Sequence, residues 1–386
     1  MDHVLFQEIG IVILGASLLS YLAVIVRLPV VLAYLLCGII VGPWGFKMVT
    51  EVSLFHEVSN IGVALLLFLA GIELHPRRFK EILGKTSFVT LVSCLFPAAI
   101  LYYIATLFGV PHNEALLVGV SLCFSSTILA IKMMPVSTLH HQYMGAFCIG
   151  VLIFQDIMAV FAIMFVSGLD MSNSASYILI PIKGVVLLTV AFVAEQFLLR
   201  PVMKKCEPVG ETLYLFPLGW CLGIAIFSSV LGFSHEIGAF IAGLALTRSP
   251  ISQFLMDKLK LLRDFFLLFF FFSLGAGLDF QMLGTIAVPA IVLCIAVILV
   301  KFVFYYLTIL ICKEKKSFSV QSALRLSQAS EFSIIIGTLA VIHGHLSEDN
   351  EQLIQFTTIL TFIVSSYLIC NFYRTPWVLP SNKQQD

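Results

Sequence analysis

The sequence predicts an all-α polytopic membrane protein of about thirteen transmembrane helices, in inverted-topology repeats with two crossed, discontinuous helices. Three observations lead there. The 386 residues are 60% hydrophobic and 11% charged, with a mean hydropathy of +1.03; soluble domains carry about 25% charge. Lysine and arginine alternate between the ends of successive apolar segments. The chain also resembles itself at an offset of about 205 residues, as inverted-repeat membrane proteins do.

A spanning helix needs about 20 apolar residues. The apolar segments are, in order, 5–26, 28–43, 58–74, 86–109, 115–134, 145–169, 177–199, 212–232, 235–247, 264–278, 283–312, 318–343 and 353–373. Segments 235–247 and 264–278 are short and contain glycine. They are expected to extend into their flanks or to be irregular.

Charge tests this count. After odd-numbered segments lie Arg27; Arg77, Arg78, Lys80 and Lys85; Arg200, Lys204 and Lys205; Arg248, Lys258, Lys260 and Arg263; and Lys313, Lys315 and Lys316. Lys132 falls beside the fifth loop, and Arg374 and Lys383 follow the last segment. The opposite side has only Lys47, while Lys183, Lys301 and Arg325 lie within or at the edges of spans. Cytoplasmic loops are the basic ones, so the N-terminus is expected outside and the C-terminus in the cytoplasm. One miscounted span would scramble the alternation.

Other classes are disfavoured. Net charge is zero, with no basic stretch to match a nucleic-acid backbone. The first apolar stretch, Ile9–Val26, is preceded by Asp2 and Glu8 rather than by basic residues, unlike a signal peptide. The nine cysteines are scattered with no CxxC pair and read as small buried hydrophobes. No nucleophile–base pair or metal cluster suggests an enzyme.

The internal repeat rests on three collinear matches. Residues 33–38 (AYLLCG) match 238–243 (GAFIAG), each followed by a proline, at Pro43 and Pro250. Residues 70–74 (AGIEL) match 276–280 (AGLDF), and polar 124–127 (FSST) falls opposite 329–332 (ASEF). Each pair is seven spans apart, an odd number, so the halves run oppositely through the bilayer. The expected organisation is one transporter domain over 1–380: repeat one at 5–169, a linker helix at 177–199, repeat two at 212–373, and a cytoplasmic tail at 381–386.

Segments 5 and 12 are the matched pair richest in hydroxyls and amides: Ser125, Ser126 and Thr127 in one; Ser327, Gln328, Ser330 and Glu331 in the other. Such groups satisfy backbone freed where a membrane helix breaks, and breaks present half-helix ends and open carbonyls to ions. Broken, crossing helices are therefore expected here. Beside them lies Gln155-Asp156, within the uncharged stretch 147–169. A charge at mid-membrane costs roughly 2.5–3.5 kcal/mol, which marks an intramembrane acid as a functional candidate with a partner. Asp156 is expected to hold a proton and a monovalent cation alternately, since burial raises a carboxylate's pKa and a nearby cation lowers it. Hard alkali cations want oxygen ligands, which Asp156, Ser125, Ser126 and freed carbonyls supply; Gln155 offers an amide oxygen. Lys301, the only charge in 296–310, is expected to pair with an acid. Glu331 is expected to neutralise a half-helix end or to bind Lys301. Arg325 is expected to reach the cytoplasmic interface. His235 and Glu236 read as residues of the outer mouth, His140 and His141 as residues of a solvated loop, and the 265–272 aromatic run as core or lipid-facing.

Several stretches taken together resemble the Kef-type branch of the monovalent cation:proton antiporter superfamily, the cation:proton antiporter-2 family. They are Arg27-Leu28-Pro29 running to Gly42-Pro43, 65–74 (LLLFLAGIEL), Ser125-Ser126-Thr127, Phe154-Gln155-Asp156, 238–243 (GAFIAG), 269–277 and 327–332 (SQASEF). The resemblance covers essentially all spans. It implies a thirteen-helix inverted-repeat fold, a homodimer, and elevator-type alternating access through a core with two crossed broken helices. It further implies that Asp156 binds the ion, that Gln155 before it is similar to potassium-linked members, and that Lys301 and Glu331 are family positions. Kef proteins usually continue into a cytoplasmic nucleotide-binding domain; these residues hold no strand-then-GxGxxG pattern, so any regulatory domain or subunit lies outside them. Residues 235–237 (HEI) depart from a more apolar family stretch.

The expectation is thus a K⁺/H⁺ antiporter of a prokaryotic inner membrane, with K⁺ (or Na⁺) and H⁺ as cargo and no other cofactor. The alternatives are Na⁺/H⁺ exchange, a gated K⁺ efflux channel, and a non-transporting scaffold.

Overall fold

The computed structural model describes residues 2–26, 28, 30–49, 52–73, 76–134, 143–168, 176–206, 210–247, 249 and 252–372. The expected tail at 381–386, His140 and His141, and several of the basic residues used for orientation (Arg27, Arg248, Arg374 and Lys383) lie outside them. The regular structure among the described residues is helical, with no strand among them. In order they form α1 (Asp2–Val26), α2 (Val30–Val41), α3 (Val52–Glu73), α4 (Pro76–Leu107), α5 (His112–Leu122), α6 (Thr127–Lys132), α7 (Tyr143–Gly168), α8 (Ser176–Ala194), a π-helical turn (Glu195–Leu199), α9 (Arg200–Cys206), α10 (Gly210–Val230), α11 (His235–Leu246), α12 (Ser252–Ala276), α13 (Leu283–Ile311), α14 (Lys316–Leu326), α15 (Glu331–Ile342) and α16 (Glu348–Phe372).

These elements fall onto the thirteen sequence segments. Segment 5 is α5 plus α6, segment 12 is α14 plus α15, and segment 7 is α8 continued through the π turn into α9. The two short segments resolve differently. Residues 264–278 are the apolar end of the 25-residue α12, which extends back through the charged stretch before it, whereas 235–247 is the 12-residue α11. Among the described residues, seven helices are long and apolar enough to cross a membrane. The other spans are broken, short or more charged. Large apolar side chains stay exposed along α1, α4 and α13, including Leu14, Leu95 and Leu299, as lipid-facing surfaces require.

Local chemistry sets the ends. Gly232 after α10 and Gly344 after α15 have φ of 87° and 72°, the left-handed conformation that closes a helix and that glycine adopts without strain. Ser234 caps α11 by accepting from the Ile237 amide, one of the donors a helix start leaves unpaired.

The chain divides into two compact units. One comprises Met1–Val52, Ile82–Ala159 and Phe271–Asp386; the other comprises Ser53–Glu81 and Val160–Phe270. Each draws helices from both halves of the sequence. In the first, α2 meets α12 at glycines: a Cβ on Gly38 would run into the Phe272 carbonyl, and one on Gly275 into the Leu35 carbonyl. In the second, α3 meets α11 the same way: a Cβ on Gly243 would strike the Phe68 carbonyl, and one on Gly71 the Phe240 carbonyl. Gly38 and Gly243 are matched positions of the repeat, as are Leu35 and Phe240. The self-resemblance therefore matches the α2 and α11 sides of a glycine-to-carbonyl joint used twice; on the other sides, the glycine matched in sequence to Gly71 is Gly277, two residues beyond the Gly275 that makes the contact. Small residues that let backbones approach closely are the usual means of joining membrane helices.

Within the first unit a buried cluster of Val89, Ala130, Phe147, Val151, Leu152, Tyr305, Ile309 and Leu326 packs α4, α6, α7, α13 and α14 together. The carboxylate of Glu114, in the first turn of α5, accepts from the Ser347 amide (2.9 Å), the Ser347 hydroxyl (2.6 Å) and Asn350 Nδ2 (2.8 Å) at the start of α16. These contacts hold both broken spans against intact helices.

Gly38→Ala and Gly243→Ala are each expected to destabilise the folded protein by about 1–3 kcal/mol, the usual cost of overpacking. Gly223→Ala, with open space around the added methyl, is expected to change stability little. Thermal unfolding of the three purified variants checks this; equal melting temperatures would refute the joint.

Candidate functional site

The two broken spans cross at their breaks. Residues 123–126 separate α5 from α6, and 327–330 separate α14 from α15. The Ser126 amide donates to the Ala329 carbonyl at 3.0 Å. Gln328 Nε2 donates to the Ser126 carbonyl at 3.3 Å, and Ser125 Oγ to the Leu326 carbonyl at 2.6 Å. Ser333 Oγ donates to the Ser121 carbonyl at 2.6 Å. Lys301 Nζ donates to both the Phe124 and the Gln328 carbonyls, each at 2.6 Å.

Freed amides are equally provided for. The Ser125 amide donates to Gln155 Oε1 (3.2 Å) and the Ala329 amide to Thr361 Oγ1 on α16 (3.1 Å). Ser126 Oγ accepts from the Leu129 amide at 3.1 Å and so caps α6. Ser330 and Ser333 cap α15 reciprocally: Ser330 Oγ accepts from the Phe332 amide (3.2 Å) and Ser333 Oγ from the Ser330 amide (3.3 Å). Buried backbone must be paired, and no water is at hand in a bilayer core; the serines here meet that demand.

The structure brings most of the sequence-derived candidates together. Asp156, on α7 and 9% exposed, lies with both carboxylate oxygens 3.3 Å from Thr127 Oγ1, the first residue of α6. Gln155, its neighbour, points to the break itself. Its amide oxygen accepts from the Ser125 amide, and its amide nitrogen donates to Tyr305 Oη at 2.6 Å and to Cys94 Sγ at 3.1 Å. Glu331 is buried in the first turn of α15, its Oε2 3.5 Å from Ser330 Oγ. Ser327 is buried but turns back to the Leu324 carbonyl of its own helix (3.0 Å).

Two expectations need correction. Lys301 is fully buried, and its hydrogen bonds go to two carbonyls rather than to a carboxylate. The physical reason is that the half-helix ends carry partial negative charge on unpaired carbonyls, and one ammonium reaches both. Arg325 does not reach outward: it is 2% exposed in the last turn of α14 and donates to the Gln321 carbonyl at 3.2 Å. The aromatic run is mostly core, Phe269–Phe272 being buried and Phe265 half exposed. His235 is exposed and Glu236 half-buried, in the first turn of α11.

Sequence reading missed Tyr305, fully buried one turn beyond Lys301 on α13, and Thr361 and Ser365 on α16. Ser365 Oγ lies 3.4 Å from Gln328 Oε1. Signals existed. Lys301 and Tyr305 stand at the i, i+4 spacing that places two side chains on one helix face. The hydroxyls of Thr357, Thr358, Thr361 and Ser365 recur near the helical period.

If Lys301 holds the crossing together, Lys301→Met should cost roughly 3 kcal/mol or more, since bonds to a charged donor are the strong ones. Ser327→Ala should cost under about 1 kcal/mol. Thermal unfolding in detergent separates them; a Lys301→Met protein as stable as Ser327→Ala would refute the role.

The overall fold resembles that of the sodium proton antiporter MjNhaP1 from Methanocaldococcus jannaschii at pH 8, with a TM-score of 0.70 at 18% identity over 95% of this chain and 96% of that one. The family model for the transmembrane part of sodium/hydrogen exchangers matches residues 11–370. The chain therefore belongs to the sodium/hydrogen exchanger family: it is an integral membrane cation/proton antiporter, a transporter and not an enzyme.

Proposed function

We propose that this protein exchanges K⁺ for H⁺ across a prokaryotic cell membrane as a Kef-type member of the family, with Asp156 holding one or the other at a time. The observation that carries the reading is the placement of the Asp156 carboxylate against Thr127, beside the crossing of two broken helices. A carboxylate and a hydroxyl are oxygen ligands suited to an alkali cation. The same carboxylate, nine-tenths buried, takes a proton when no cation offsets its charge. Lys301 is engaged with carbonyls, so it serves the scaffold and leaves Asp156 as the exchanging group. One carboxylate implies one-for-one exchange, electroneutral if Lys301 keeps its charge. Gln155 before Asp156 is similar to potassium-linked Kef members, which favours K⁺. The family description and the structural relative name sodium, and that favours the second reading, Na⁺/H⁺ exchange by the same site.

The transporter works as a homodimer in the bilayer, with a moving core that carries Asp156 from one side to the other. The basic loops support an N-terminus outside and a C-terminus in the cytoplasm, where a separate regulatory domain or subunit would act.

Proteoliposomes holding the protein and a trapped pH dye are expected to respond to a K⁺ pulse with a lumenal pH change, which Asp156→Asn abolishes. A response to Na⁺ but not K⁺ would replace the ion. Cation leak without a pH change would replace exchange with a channel. A full response in Asp156→Asn would refute the site.

A further inference from the structure

Tyr305 belongs to none of the sequence motifs, yet it joins three of the elements around Asp156. Its hydroxyl is fully buried, 2.6 Å from Gln155 Nε2 and 3.3 Å from Ser125 Oγ. Chemistry fixes the direction of every bond. The Ser125 amide is a donor, so the Gln155 oxygen must face it and the Gln155 nitrogen must face Tyr305. Tyr305 Oη therefore accepts from Gln155, and its own proton is free for Ser125 Oγ. Ser125 Oγ accepts it because its proton goes to the Leu326 carbonyl at 2.6 Å. The result is a one-way chain: α7 to α13, to the first break, to the end of α14.

We infer that Tyr305 is a positioning residue that sets the size of the cation site and hence its preference among alkali cations. The inference rests on the reading of Asp156 as the ion-binding group. Two parallel links tie α7 to the first broken span: Gln155 Oε1 to the Ser125 amide (3.2 Å) and Asp156 to Thr127 Oγ1 (3.3 Å). They stand one residue apart on α7 and two apart on the broken span. A cation inserted between Asp156 and Thr127 opens the second link by an amount that grows with its radius. The first link resists that opening. Its stiffness depends on Tyr305, which holds the amide from its nitrogen side while the neighbouring Lys301 holds the break. Removing one hydroxyl leaves the ring packed and every charge unchanged. The amide then loses an anchor, the gap adapts to the ion, and discrimination by size falls. Proton competition at Asp156 is untouched.

The test is Tyr305→Phe in proteoliposomes, with proton flux evoked by Li⁺, Na⁺, K⁺ and Rb⁺ across a concentration series and across pH. The spread of apparent KM among the four cations is expected to narrow by roughly two- to tenfold, the worth of one hydrogen bond. KM should move more than the maximal rate, and the pH profile should stay in place. An unchanged spread overturns the inference, even with a lower melting temperature, because a merely structural tyrosine would give that result. A wild-type spread of one also overturns it. If Tyr305→Phe does not fold, Ser125→Ala cuts the same chain one bond further on and must narrow the spread; no change there overturns the inference equally. Asp156→Asn runs alongside. Flux surviving in Asp156→Asn refutes the site and this inference with it. Flux lost in Asp156→Asn with the spread unchanged in Tyr305→Phe refutes this inference alone.

Discussion

One ammonium group holds the centre of this protein. Two spans are broken near their midpoints, and each break leaves carbonyls that a continuous helix would have used. In a hydrocarbon core an unsatisfied backbone group costs several kcal/mol, so two breaks are tolerable only if something answers for them. Lys301 answers for one carbonyl of each break at once. Its own burial is costly, and the cost is offset only because two oxygens and two helix ends share the charge. The serines and amides complete the pairing: Ser125, Ser126, Gln328 and Thr361 each take or give a bond that the breaks left open. The breaks and the lysine are thus one device, since neither is stable without the other.

The acids are placed with the same logic. Glu331 sits in the first turn of α15, and Asp156 lies against the first residue of α6. Both are helix starts, where partial positive charge accumulates. They differ in accessibility: Glu331 is 1% exposed and tied into the Ser330 cap, whereas Asp156 is 9% exposed and faces a half-buried hydroxyl. That difference supports giving Asp156 the exchanging role and Glu331 the fixed one. With Lys301 committed to the scaffold, the proposed exchange rests on Asp156 as the group that alternates between proton and cation.

Much of this was legible in the sequence because hydropathy and charge obey a bilayer's geometry. All thirteen segments have helical counterparts, and hydroxyl-rich segments 5 and 12 are the broken ones. The repeat was legible as well, though its physical content was not: Gly38 and Gly243 matched in sequence, but only the structure shows each pressed against a distant carbonyl. Lys301 was misassigned because a sequence displays side-chain charges and hides backbone ones; two freed carbonyls do the work expected of an acid. Tyr305 was hidden by its setting, one aromatic among many in an apolar helix, where a phenol reads as packing until a partner is seen. Arg325 was placed at the interface because it lies near the cytoplasmic end of segment 12; the structure puts it instead in the last turn of a half-helix, buried close to the break.

The central claim is that one carboxylate is contested by a proton and a cation. Proton release on cation binding tests it most directly, measured with purified protein in weakly buffered solution as K⁺ or Na⁺ is added. Release approaching one proton per chain at saturation, absent in Asp156→Asn, is the predicted result. Saturable cation binding with no proton released, or equal release in Asp156→Asn, would contradict it.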